Sequence, residues 1–192
     1  MNESQADHLD KIKKLSEELS RERLDYWFNY SSFDTWQFWV NVGILFIPLV
    51  ILLIKIDKSR ALHLGFYGYN VHVLSTYIDG YATNHGNWEY PFKVLPFLPI
   101  NFGLDTSLIP VVYMLGYQWT IRHKKNYYIM LLIVSAIFSF VLKPILVYVD
   151  LFQFGEGHNY FNLFIWYFIG GLIAKWITNL FIYFERKGTN SF

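Results

Sequence analysis

No cysteine occurs in the chain, which excludes a disulfide, a thiol nucleophile and any Cys-based metal site. Charge is scarce: 16% of residues are Asp, Glu, Lys or Arg, against about 25% in soluble domains. The net charge is only +1, and no Lys/Arg stripe is interleaved with stacking aromatics, so nothing points to a nucleic-acid partner. No apolar run precedes Trp36, which argues against a cleavable signal peptide. No GxSxG, P-loop, dinucleotide fingerprint or HExxH pattern occurs, and no His pair sits at i, i+4. Ser139 and Lys143 are i, i+4, a spacing common by chance. The chain therefore reads as non-enzymatic, without a cofactor or a metal.

What fills the chain is apolar and aromatic: 54% and 21% of its 192 residues, in long blocks. Trp36 to Ile54 is nineteen residues without a charge, close to the roughly 20 that cross a bilayer. Further blocks at 61–82, 103–121, 127–149 and 160–184 complete a five-span transmembrane domain over 35–185. The expected fold is all-α: a five-helix transmembrane bundle with an N-terminal amphipathic surface helix. Residues 1–34 supply that helix and a linker, with Ile12, Leu15, Leu19 and Tyr26 on one stripe and Lys11, Lys14, Glu18 and Arg21 opposite. Residues 186–192 form a polar tail.

The stretch Asp79 to Pro110 organises the rest. It holds four of the six prolines and, among them, Trp88, Tyr90, Phe92, Phe97 and Phe102. Such a Pro- and aromatic-rich connection suits the headgroup zone of an outer leaflet. Lys55, Lys58, Arg60, Arg122, Lys124, Lys125, Arg186 and Lys187 fall on one side of a five-span chain, and Lys93 alone on the other. The positive-inside rule then places the N-terminus outside and the C-terminus in the cytoplasm. The five Lys/Arg of the N-terminal segment oppose its translocation.

In this arrangement Asp79, Asp105 and Lys143 reach one level and form a candidate intramembrane polar cluster. Asp105 is expected to cap the third span, and Lys143 to pair with Asp79 or Asp105. The cluster reads as a register-fixing ion pair, a proton or ion relay, or a metal site with His85, His158 and carboxylates. His72, Lys175, Glu89 and His85 are secondary candidates, with Lys175 either snorkelling or pairing with a span-two residue such as His72.

Tyr90-Pro91, Asp105, Pro110, Tyr117-Gln118 and Lys143-Pro144 together form a pattern over residues 60–184. It resembles an uncharacterised family of small multi-pass membrane proteins found in endospore-forming Gram-positive bacteria. The resemblance implies a membrane topology and a role in the cell envelope or sporulation; it carries no established activity. Two function classes stay open: a non-enzymatic interaction or subunit role in the cell membrane, and a small oligomeric transporter or channel using the polar cluster. The partners implied are the lipid bilayer and a second copy or another membrane protein.

Overall fold

The computed structural model describes residues 2–189. It is all-α apart from one two-residue ladder. Helices run in the order α1 (Glu3–Tyr26), α2 (Trp36–Lys55), α3 (Ala61–Asn84), α4 (Ile109–His123), α5 (Tyr127–Ile137), α6 (Lys143–Tyr148) and α7 (Tyr160–Thr189). Strand β1 (Trp88–Glu89) pairs antiparallel with β2 (Gln153–Phe154), tying the 85–103 connection to the 149–159 loop. Of the expected polar tail, residues 186–189 continue α7, and 190–192 lie outside the described residues.

Three helices are long and apolar enough to cross a membrane: Trp36–Lys55, Tyr127–Tyr148 and Tyr160–Gly188. Their outward faces expose large apolar side chains, Leu53 at 75% and Ile54 at 72%, a surface that suits hydrocarbon rather than water. The two remaining expected spans are different. Polar residues dilute α3, and α4 is only 15 residues long. Both sit centrally, α3 against α4 and α7, and α4 also against α5.

Local chemistry sets the helix ends. Thr35, Asn126 and Asn159 accept backbone N–H bonds at the starts of α2, α5 and α7. Lys124 (φ 52°) and Asp150 (φ 60°) turn the chain left-handed just past α4 and α6. At Gly155 a Cβ would meet the Gly86 carbonyl oxygen at 1.8 Å, so only glycine lets the two outer loops close on each other.

Two π turns interrupt the helices, Leu104–Leu108 before α4 and Phe138–Leu142 between α5 and α6. Each ends two residues before a proline, Pro110 or Pro144. In the first turn, Ile109 N–H reaches back five residues to the Leu104 carbonyl. Pro110, next in that register, has no N–H to offer. The Asp105 carbonyl is therefore left for other donors. Lys143 N–H likewise reaches Phe138, and Pro144 leaves the Ser139 carbonyl without its helical donor.

Helix α1 packs little on the bundle. Leu9, Ile12, Leu15 and Leu19 are all about half exposed, and packing begins only at its C-terminal end. Trp27, in a π turn at Trp27–Ser31, is buried, and its indole donates to the Lys93 carbonyl (2.8 Å). Lys93 N–H donates to the Ser31 hydroxyl (3.1 Å). Deleting residues 1–25 is therefore expected to leave thermal unfolding in detergent within about 0.5 kcal/mol of the full chain. Trp27→Ala is expected to cost about 3 kcal/mol. A large loss on truncation would show that α1 belongs to the core.

Candidate functional site

Asp79, near the C-terminal end of α3, is buried and saturated. Its Oδ1 accepts from the Trp88 indole (2.6 Å) and the Tyr90 hydroxyl (2.7 Å), and its Oδ2 from Asn101 N–H (3.2 Å). Three donors spread over fourteen residues of the outer connection thus converge on one carboxylate. Asn101 closes the network: its Nδ2 donates to Asn41 Oδ1 in α2 (2.8 Å), and its Oδ1 accepts Leu104 N–H (3.1 Å). Asn101, and not Asp105, is therefore the residue that caps the helix leading into α4.

Asp105 is 2% exposed and lies inside the first π turn. Its carbonyl, freed by Pro110, accepts from His72 Nδ1 (2.9 Å) and the Ser75 hydroxyl (3.4 Å). A carbonyl only accepts, so His72 carries the proton on Nδ1. The Asp105 Oδ2 has no hydrogen-bond partner, and neither do the buried hydroxyls of Thr106, Ser107 and Ser139. All four unpartnered atoms fall on the two π turns, a helix distortion frequent at functional sites.

Lys143 opens α6, immediately before Pro144, and is 1% exposed. It makes no ion pair with Asp79 or Asp105 within 4.0 Å. Its Nζ donates instead to the Tyr90 hydroxyl (3.2 Å) and lies 3.6 Å from the centroid of the Phe152 ring. The expected direct pairing is thus replaced by a relay, Lys143 to Tyr90 to Asp79. Burial, followed by the charges of Asp79 and Asp105, pushes the Tyr90 phenol well up, so it remains protonated and able to donate.

Asp79, Tyr90, Asp105 and Lys143 share the wall of one cavity with Tyr113 and Tyr167. Its volume is about 40 Å³, room for a very few waters and far below the roughly 300 Å³ of a small-molecule site. Tyr90 also lines a separate groove of about 460 Å³ between the end of α1 and the outer connection, with Glu22, Arg23, Glu89 and Lys93. Burial, then Arg23, holds the Lys93 ammonium below its ordinary range.

The secondary candidates lie apart from the cavity. His72 reaches the Asp105 carbonyl and, at 3.4 Å, the Thr76 hydroxyl. Glu89 faces the outer groove from β1. His85, at the end of α3, bonds the Tyr81 carbonyl and stacks on the Tyr81 ring. Lys175 does not pair with His72: its Nζ donates to the Tyr117 hydroxyl, with the ring 4.0 Å away. His63 Nε2 bonds the same hydroxyl (3.0 Å) and lines a cleft of about 750 Å³ with Arg60, Glu185 and Arg186. Among the described residues no group of three or more His, Asp or Glu is placed to hold a metal ion.

Sequence reasoning missed Trp88, Tyr90 and Asn101, whose individual partners follow no spacing rule. Gly171, where a Cβ would meet Leu131 and Tyr113 within 2.7 Å, likewise carries no signal in the sequence. Tyr117-Gln118 now has a role. Gln118 accepts Asp57 N–H (2.7 Å) and donates to the Lys55 carbonyl (2.9 Å), pinning the turn after α2, while Tyr117 meets Lys175. No family model matches the chain, and no curated protein or solved structure does.

Proposed function

We propose that the chain is a five-span integral membrane protein of the cell membrane, with a non-enzymatic interaction or subunit role in the envelope. Its resemblance to the endospore-former family adds sporulation as the setting. The observation that carries the reading is the saturation of Asp79. Three donors hold the connection at 88–101 as a rigid, folded cap, a surface suited to contact with a partner and unlike a catalytic cleft. The five-span topology draws support from where the loops meet. The Lys55–Arg60 turn and the Arg122–Lys124 turn line one cleft, while β1 and β2 join the two loops that together carry a single Lys and no Arg.

A second reading, a small oligomeric transporter, is favoured by the unpartnered Oδ2 of the buried Asp105. An ionisable group left unsatisfied at such depth is costly and marks a pathway more often than a scaffold.

Single cysteines at Ser59 and Asn87 test the first reading on intact cells. An impermeant thiol reagent is expected to label Asn87→Cys and spare Ser59→Cys. Labelling of Ser59→Cys alone reverses the orientation, and labelling of both removes α3 as a span. A thiol–amine crosslinker attached at Asn87→Cys is expected to yield a discrete larger adduct; monomer alone overturns the subunit role.

A further inference from the structure

Two lysines in this molecule are seated alike. Lys143 donates to the Tyr90 hydroxyl, which donates to Asp79. Lys175 donates to the Tyr117 hydroxyl, which bonds His63 Nε2. Each lysine also lies against an aromatic ring, Phe152 for the first and Tyr117 for the second. In both, a tyrosine hydroxyl stands between an ammonium and a second titratable group, the arrangement through which a proton passes without movement of heavy atoms.

The two sets lie at opposite ends of a buried polar column. Tyr90 forms the wall shared by the outer groove and the cavity. At the other extreme, His63 borders the cleft beside the Lys58–Arg60 turn. Between them lies the cavity, whose wall also includes Asp105, Tyr113, Gly170 and Gly171. The Gly171 carbonyl accepts from the Tyr127 hydroxyl (2.8 Å), which in turn meets the Tyr67 hydroxyl (2.8 Å). Both of those rings pack on Tyr117, with centroids 5.5 and 4.6 Å away.

We propose that the protein conducts protons across the membrane along this column, between a Lys143–Tyr90–Asp79 relay and a Lys175–Tyr117–His63 relay. The proposal rests on the transporter reading and narrows its cargo to the proton, because about 40 Å³ admits water and little else. In the first relay the Lys143 Nζ–H bond breaks as its proton moves to the Tyr90 oxygen. The Tyr90 O–H bond breaks in the same step as that proton moves to Asp79 Oδ1. Lys143 ends neutral, Asp79 ends protonated, Tyr90 is unchanged and the total charge is conserved. In the second, a Lys175 proton passes to the Tyr117 oxygen while the Tyr117 proton passes to His63 Nε2, in the tautomer whose Nε2 accepts. The Asp105 carboxyl, which lies against that of Asp79, takes the proton on inside the cavity: the Asp79 O–H bond breaks as the Asp105 O–H bond forms, and Asp79 returns to a carboxylate. Three links are not hydrogen bonds as they stand: the outer groove to Lys143, the cavity to Tyr127, and the Tyr67–Tyr127 pair to Lys175; the first and last of these return the proton that each lysine gives up. Water in the cavity and rotation of the hydroxyls carry the proton over these.

The full chain, purified and placed in liposomes loaded with a pH-sensitive dye, tests this. A potassium gradient with valinomycin drives protons inward, and the initial acidification rate is read against protein-free vesicles. The wild type is expected to acidify faster than protein-free vesicles. Tyr90→Phe and Tyr117→Phe each keep the ring, remove the relay oxygen, and are expected to lower the protein-dependent rate on the order of tenfold or more. A wild-type rate equal to that of protein-free vesicles overturns conduction. A rate unchanged in either Tyr→Phe variant overturns the relay at that end. The thermal transition of each variant is checked first, and Lys175→Gln or Lys143→Gln stands in for a variant that has lost it. Cysteine labelling at Ser59 and Asn87 separates the two failures. Cysteines on one side remove the five-span reading, whereas cysteines on opposite sides without flux remove only the proton.

Discussion

Asp79→Leu is expected to be among the most destabilising single substitutions in the chain, lowering stability by at least about 3 kcal/mol. The side chains are close in size, so the loss comes from the donors left behind. The Trp88 indole, the Tyr90 hydroxyl and Asn101 N–H all point at this one carboxylate, and all three residues are buried. Bulk solvent is excluded, and each donor that the few cavity waters leave unsatisfied costs about 1–3 kcal/mol. Asp79→Asn keeps one acceptor oxygen but turns an NH2 toward a donor, so its cost should fall between Leu and wild type. The loss should also be local. Backbone amides of 88–101 should exchange faster in Asp79→Leu, because this carboxylate joins the connection to α3. Thermal unfolding in detergent gives the first effect and hydrogen exchange the second. Wild-type protection across 88–101 in Asp79→Leu would show that β1–β2 pairing and Gly155 hold the connection by themselves.

Much of this arrangement is legible in the chain, but unevenly. Helical periodicity and the order of the apolar blocks bring Asp79, Asp105 and Lys143 to one level, and the structure places all three on the wall of one cavity. Length and apolarity identify 36–54, 127–149 and 160–184 directly, and three helices at those places meet the same criterion in the structure. The block at 103–121 does not, because the π turn leaves α4 only 15 residues long, and the block at 61–82 does not, because its polar side chains are spent on packing inside the molecule. His72 reaches the Asp105 carbonyl, Asn70 its own helix, and Tyr67 the Tyr127 hydroxyl. Hydropathy averages over the two faces of a helix and cannot tell a polar group turned inward from one facing solvent. Two aromatics of the connection differ from the expected belt for a related reason, while Phe97 stays 65% exposed. Trp88 and Tyr90 carry the composition of an interface belt, yet both are buried, their polar ends on Asp79. A belt and a plug share a composition and differ only in direction.

The π turns show a signal that was present and unused. Asp105 stands five residues before Pro110, and Ser139 five before Pro144. Each proline falls where a helix with a five-residue reach would need an N–H. Asp105 fails as a helix cap for a separate reason. The helix has already begun at Phe102, with Asn101 in the capping position.

Lys143→Met should destabilise by about 3–5 kcal/mol, the range for removing one member of a buried charged group while its partners remain. Met fills similar volume and can still lie on Phe152, so the packing loss is small. What disappears is the donor to Tyr90, the cation over the Phe152 ring, and the only positive side chain on the cavity wall that holds Asp79 and Asp105. A desolvated cation–π contact alone accounts for about 2 kcal/mol. Double-mutant cycles then separate the partners. Coupling between Lys143→Met and Tyr90→Phe should be large, because the two share a hydrogen bond. Coupling with Asp79→Asn should be intermediate, because Tyr90 transmits it. Coupling with Asp105→Asn should be smallest, because no hydrogen bond joins Lys143 to Asp105. Additive behaviour with both carboxylates would sink the relay as a stabilising unit. A Lys143→Met protein as stable as wild type would mean that the ammonium is hydrated, which requires the cavity to open to water and so favours the transporter over the scaffold. The two residues nearest the ammonium decide between these outcomes. Tyr90 and Phe152 both cover Nζ, so a hydrated lysine needs one of these rings to move. Phe152→Ala, which removes one of them, should then make Lys143→Met markedly less costly than it is in the wild-type background.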